Sequence, residues 1–179
     1  MPDKSSAVAH DRVSACASEI VMMDGCALAN AIHSKQASCV EVMTAYLDHI
    51  EDMNPHVNAI VALEDGDSLL ARARVSDEQL ARGEPVGSLH GFPFAAKDLI
   101  PVNGLRMTMG SPILKDFIPG ADSVMAERLR RAGAIFIGKT NTPELALAPI
   151  PTTRSTALPA TLMTSPAPRE AAAAVQRSL

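Results

Sequence analysis

The chain has 179 residues, 47% hydrophobic and 20% charged, which suits one globular domain or part of a larger one. Its formal net charge is -4, so it lacks the concentrated Lys and Arg that nucleic-acid phosphates require. No apolar run approaches the ~20 residues of a membrane-spanning helix, and Met1 to His10 lacks the basic start and apolar core of a signal peptide.

A cytoplasmic location follows as the expectation. Aromatic content is 3%, with no Trp and one Tyr, so the core must be built from Ala, Leu, Ile, Val and Met. Cys16, Cys26 and Cys39 are odd in number and form no Cys-x-x-Cys pair, which reads as reduced thiols rather than a disulfide frame. The five histidines are scattered without ligand spacing, so neither a zinc site nor another cofactor is expected.

Residues 1–18 are small and polar without a period and read as a mobile leader. A helix is predicted over about residues 18–32, with Gly25 as its weak point. The next helix is better marked. Ser38 followed by Glu41 is a capping box, and Val40, Met43, Tyr46, Leu47 and Ile50 fall on one face at helical spacing. Asn54-Pro55 is expected to end it, because proline disfavours helix at the residue before it. Residues 58–63 read as a short strand and 67–82 as an Ala-, Leu- and Arg-rich helix.

Pro85, Gly87, Gly91 and Pro93 punctuate a loop leading into Phe94-Ala95-Ala96-Lys97-Asp98-Leu99-Ile100, a short apolar run that suits a buried strand. Residues 104–112 are loop-like. Asp122 or Ser123 can cap a helix carrying Val124, Met125, Leu129 and Ala132, with Gly133 at its end. Ala134 to Gly138 is a second buried-strand candidate. Alternating strands and helices argue for an α/β layer fold. From Pro149 the composition changes: Pro, Thr and Ser dominate to Pro168, and an Ala-rich run follows from Arg169 to Val175. This is the composition of a disordered tail with a frayed terminal helix.

Three places could carry chemistry. Lys97 sits in an otherwise apolar segment; burial disfavours a charged ammonium, and a neutral amine can serve as general base toward a serine hydroxyl. By spacing alone, a lysine snorkelling to water or paired with Asp98 is the commoner outcome. Gly138-Lys139-Thr140 resembles part of a phosphate loop, but the preceding glycine pattern is absent and Pro143 is wrong for a helix opening at the lysine. A turn rich in capping side chains is expected there, and no nucleotide binding. His90, between Leu89 and Gly91, could exchange protons near neutral pH, but no partner is placed beside it, so a structural role in an ordered loop is expected.

Taken together, the segments Gly87-Ser88-Leu89-His90-Gly91-Phe92-Pro93-Phe94-Ala95-Ala96-Lys97-Asp98, Gly104-Leu105 through Gly110-Ser111, and Ala132-Gly133-Ala134 to Gly138-Lys139-Thr140-Asn141-Thr142-Pro143-Glu144 resemble the amidase-signature family. The Ser38-to-Pro55 helix and the Asn58-Ala59 strand fit as well. The resemblance runs from about residue 20 to about residue 150. It implies a partial amidase-signature fold: N-terminal helices plus the first strands of a mixed sheet flanked by helices. It implies three regions: a leader over 1–18, the N-terminal part of the amidase domain over 19–150, and a disordered or frameshifted tail over 151–179.

The family's enzymes hydrolyse carboxylic amides with a Ser–cis-Ser–Lys triad, and Lys97 aligns with its lysine, the proton acceptor and donor. The bridging serine lies in a Gly-Gly-Ser-Ser-Gly-Gly segment and the nucleophile beyond it; the 179 residues contain no such segment. Members of a catalytic unit act together, so the chain is expected to be inactive alone, as the front part of an enzyme whose substrate is a small-molecule amide. The alternative is a non-catalytic binding or regulatory module on the same half-fold, docking onto a full-length relative.

The tail suggests a reason. When each new codon takes the last base of one tail codon and the first two of the next, residues 170–175 permit Gly-Gly-Ser-Ser-Gly-Gly. Residues 156–164 likewise permit Tyr-Gly-Ala-Thr-Arg-Asn-Pro-Tyr-Asp when each codon borrows from its predecessor, as the family carries there. A frameshift near residues 149–152 is therefore expected.

Overall fold

The computed structural model describes residues 19–147. The expected leader, the tail and Cys16 lie outside the described residues. The chain divides into two compact units. The first comprises residues up to Asp52 with Gly66–Pro93 and Ala132–Ile135; the second comprises Met53–Asp65, Phe94–Arg131 and residues from Phe136 onward.

In the first unit, the single helix expected over 18–32 is interrupted. Residues 19–21 form a helical turn, and a new helix, α1 (Gly25–His33), starts behind Asp24, whose carboxylate accepts from Ala27 N at 2.8 Å. That cap turns the weak point at Gly25 into a helix start. Helix α2 (Cys39–Val57) opens on the predicted box: Ser38 N donates to Glu41 Oε2 at 2.8 Å, and Glu41 N donates to Ser38 Oγ at 3.1 Å. These bonds, backbone first, hold the Glu41 carboxyl below its usual range.

The helix runs through Pro55 rather than stopping before it. A proline in the last turn forfeits one backbone bond there, and Asn54 compensates by gripping both sides of Ile60, with 2.8 and 2.9 Å bonds to its N–H and carbonyl. The buried side chains of α2 are Cys39, Val42, Met43 and Ala45. Of the predicted stripe, Met43 is buried, and Val40, Tyr46, Leu47 and Ile50 are half-buried. Helix α3 (Gly66–Ala81) buries Leu69 and Ala73.

Most of the sheet belongs to the second unit, with β1 (Ile60–Leu63), β2 (Pro93–Lys97) and β3 (Ile135–Thr140) in the order β1-β3-β2. β1 runs antiparallel to β3, with Leu63 opposite Gly138. A Cβ at Gly138 would drive into the Ala62 carbonyl, so only glycine permits this approach. β2 and β3 ascend together: Ile135 N donates to Phe92 O at 2.8 Å and Asp98 N to Thr140 O at 3.1 Å. The sheet is therefore mixed, as expected.

Helix α4 (Val124–Arg131) connects the parallel pair, with Ser123 Oγ accepting from Ala126 N at 3.2 Å. Its inward face differs from the predicted one. Ala126 is buried and Leu129 packs on the core, while Val124 and Met125 are exposed. The core comprises Ala96, Val102, Leu105, Ala126 and Phe136. Phe94 meets Phe136 edge-on at 5.5 Å, and the Arg130 guanidinium lies 4.9 Å from the Phe136 ring centre.

Candidate functional site

Lys97 is the last residue of β2. Side chains alternate along a strand, and here Ala96 takes the buried position while Lys97 is exposed. The apolar surroundings expected for Lys97 are therefore not what the structure holds. Its Nζ donates to Asn141 O at 3.5 Å. The chain turns at once, with Ile100 N donating to Lys97 O at 2.9 Å.

Asp98 is directed into the protein, only 1% exposed. It pairs with Thr108 rather than with Lys97. Thr108 N donates to both carboxylate oxygens at 3.0 and 3.1 Å, and Thr108 Oγ1 donates to Oδ2 at 2.6 Å. Thr108 Oγ1 accepts in turn from Gly110 N at 3.1 Å. Ser111 N donates to Thr108 O at 3.0 Å, and Ser111 Oγ donates to Glu144 Oε1 at 2.8 Å. One run of polar contacts thus links the turn after Lys97 to the loop at 108–111 and on to Glu144.

The buried amine is Lys139, on the central strand. It is fully inaccessible, and its Nζ donates to the Ile100 carbonyl. Burial pulls its pKa below the ordinary lysine value, while the charges of Asp98 and Asp122 act in the opposite direction. Gly138, Lys139 and Thr140 are strand residues, not the turn that their composition suggests, and no helix opens at the lysine. Beyond them, Asn141 N donates to Ala59 O at 2.8 Å and Thr142 N to Asn141 Oδ1 at 2.8 Å. The Thr142 hydroxyl is buried and has no hydrogen-bond partner among the described residues.

His90 belongs to the first unit. It is buried, with Nε2 2.9 Å from Ser76 O, and it holds a loop, as expected. Gly91 and Gly133 beside it have φ of +76° and +95°; a Cβ on the former would strike Cys39 Sγ and on the latter the His90 backbone. Cys39 is a buried free thiol whose pKa is pushed up to about 12, by burial first and then by the charge and hydrogen bond of Asp77. Cys26 is free and exposed.

Neither the tie of Asp98 to Thr108 nor the burial of Lys139 is legible in the sequence. The first joins residues across a ten-residue loop and the second joins segments 39 residues apart, and neither has a local motif. Among the described residues no group of His, Cys, Asp and Glu could hold a metal ion. No described helix is long and apolar enough to cross a membrane.

A family model described as Amidase matches residues 41–163. The match begins after the expected start near residue 20 and extends past residue 150. The A subunit of the glutamyl-tRNA(Gln) amidotransferase of Alkaliphilus metalliredigens is 42% identical over 113 residues, which cover 63% of this chain and 23% of that protein. Among solved structures, the native peptide amidase of Stenotrophomonas maltophilia is similar at 30% identity and a TM-score of 0.63, over 69% of this chain and 25% of that one. A bacterial aryl acylamidase of the amidase signature family is similar at 29% identity and a TM-score of 0.64, over 69% of this chain and 26% of that one. The chain spans about a quarter of the length of the relatives it matches.

Proposed function

Because the chain belongs to the amidase family, we propose that Lys97 is the proton-carrying amine of a site that hydrolyses carboxylic amides. In this reading Lys97 accepts a proton from a serine hydroxyl as that oxygen attacks the amide carbonyl. It then returns the proton to the departing ammonia or amine. The observation that carries the reading is the placement of Lys97 at the end of β2, exposed, on a turn closed by the 2.9 Å bond from Ile100 N to Lys97 O. A proton carrier must be reachable by its partner; Lys139 is not, since it is fully buried and bound to a carbonyl.

The serines of the reaction, and the donors that would stabilise the oxyanion, belong to a Gly-Gly-Ser-Ser-Gly-Gly segment and to residues beyond it, and the 179 residues contain no such segment. We therefore propose that the polypeptide of these residues hydrolyses no amide by itself, and that a shifted reading frame near residues 149–152 encodes the missing segment. The substrate class is a small-molecule carboxylic amide, cleaved to acid and ammonia or amine, in the cytoplasm.

The test compares the 179-residue chain with the product of the frame-restored gene on glutamine and aryl amides. The expected result is turnover only in the restored protein, abolished by Lys97→Ala. Enzyme-like turnover by the 179-residue chain, or a restored enzyme indifferent to Lys97→Ala, refutes the reading.

A further inference from the structure

We propose that Lys139 is a positioning residue for Lys97, acting through the turn from Lys97 to Ile100. A fully buried ammonium is costly unless it is hydrogen-bonded and electrically compensated. Lys139 meets both conditions at one place. Its Nζ donates to Ile100 O, and the charges acting on it are those of Asp98 and Asp122. Asp122 is otherwise engaged, accepting from Asn103 N at 2.6 Å and Arg130 Nε at 2.8 Å.

The turn is therefore fastened at four places. Asp98 N is bound to Thr140 O, Ile100 N to Lys97 O, the Asp98 carboxylate to Thr108, and the Ile100 carbonyl to Lys139. Three of these fasteners are backbone bonds or a local carboxylate. The fourth is an amine delivered from the central strand, and it closes the last carbonyl before Pro101. Without it the Ile100 carbonyl loses its donor, the turn loosens, and the backbone direction that aims Lys97 is no longer fixed. The functional meaning rests on the reading of Lys97 given above; the geometric assignment does not.

The experiment is residue-resolved amide hydrogen exchange on the whole 179-residue chain, with Lys139→Met, which keeps length and removes charge. A second variant combines Lys139→Met with Asp98→Asn, so that no carboxylate is left uncompensated if the single change prevents folding; it is read against Asp98→Asn alone, because the Asp98 carboxylate is itself a fastener of the turn. In either folded variant the Ile100 and Asp98 amides are expected to exchange at least ~10-fold faster relative to the Glu64 amide, which is bonded to Ile137 O in the same sheet. Unchanged exchange at Ile100, or an equal acceleration of all three amides, overturns the proposal. So does loss of folding in both variants, which would make Lys139 a general support. Exchange is read without any amide turnover. If Lys97→Ala leaves the restored enzyme active, the functional reading fails while the turn assignment stands.

Discussion

Replacing Asp77 by alanine removes a helix cap that no local motif announces. Asp77, on α3, accepts from Cys39 N at 2.7 Å and from Val40 N at 3.1 Å, one oxygen for each of the first two N–H groups of α2. Ser38 Oγ takes the third, from Glu41. The first N–H groups of a helix have no partner within it, and Cys39 is fully buried, so its amide has no ready access to water. A hydrogen bond to a charged acceptor contributes about 1.5–3 kcal/mol, and a negative charge at a helix start adds about 0.3–1 kcal/mol.

Discounting for the half-buried carboxylate and for hydration of the Val40 amide, Asp77→Ala should cost ~3 kcal/mol, a large share of the 5–15 kcal/mol typical of a domain. Ser38→Ala, which breaks only the local box, should cost about 1 kcal/mol. Asp77→Asn keeps an acceptor but loses the charge and should fall between them. The assay is urea unfolding of the three variants beside the parent, read as midpoints at a common slope. If Asp77→Ala costs no more than Ser38→Ala, the long-range cap is not what fixes the start of α2, and the reasoning fails.

Two further outcomes rest on the same structure. The Cys39 thiol is raised from 9.0 in the unfolded chain to about 12 in the folded one, so its stabilising contribution is complete below pH 9.0 and is lost as pH climbs toward 12. Melts across that window should show parental stability falling more steeply than that of Cys39→Ala, and parallel slopes would count against the assignment. Phe136→Ala removes the centre of the sheet-side core together with its edge-on contact to Phe94. It should cost about 3–5 kcal/mol in urea unfolding, against under ~2 kcal/mol for Phe136→Leu.

Most of the signals legible in this chain have a local cause. The Ser38–Glu41 box, the helix start at Ser123 and the glycine closing α4 each depend on residues within a turn of one another, and each is found where its side chains put it. Asp24 is also local, yet a helix drawn across it overlooks the cap, because Gly25 reads as a weak point rather than a start. Pro55 reads as a stop, but the rule for the residue before proline is only a bias. Asn54, bonding both polar groups of Ile60, outweighs it. The buried faces of α2 and α4 depart from expectation for another reason. Which stripe of a helix is covered depends on its neighbours, and Ala126 rather than Val124 or Met125 is what fits against Phe136 and Ala96.

The two lysines show where such reading stops. Both follow apolar runs of similar length, Phe94-Ala95-Ala96 before Lys97 and Ile135-Phe136-Ile137-Gly138 before Lys139. Hydropathy offers no way to tell which amine is desolvated. The sheet order decides it. β3 lies between β1 and β2 and carries Lys139 inward, beneath the turn, whereas β2 has β3 on one side among the described strands and ends at Lys97. Here the central strand buries Lys139, and β2 leaves its last residue exposed. In the reading proposed above the catalytic position is given to Lys97, and the sheet gives the buried environment to Lys139. A chemical account of Lys97 must therefore begin from an exposed amine, and the Ile100 carbonyl, with the Lys139 amine bonded to it, is the place to perturb first.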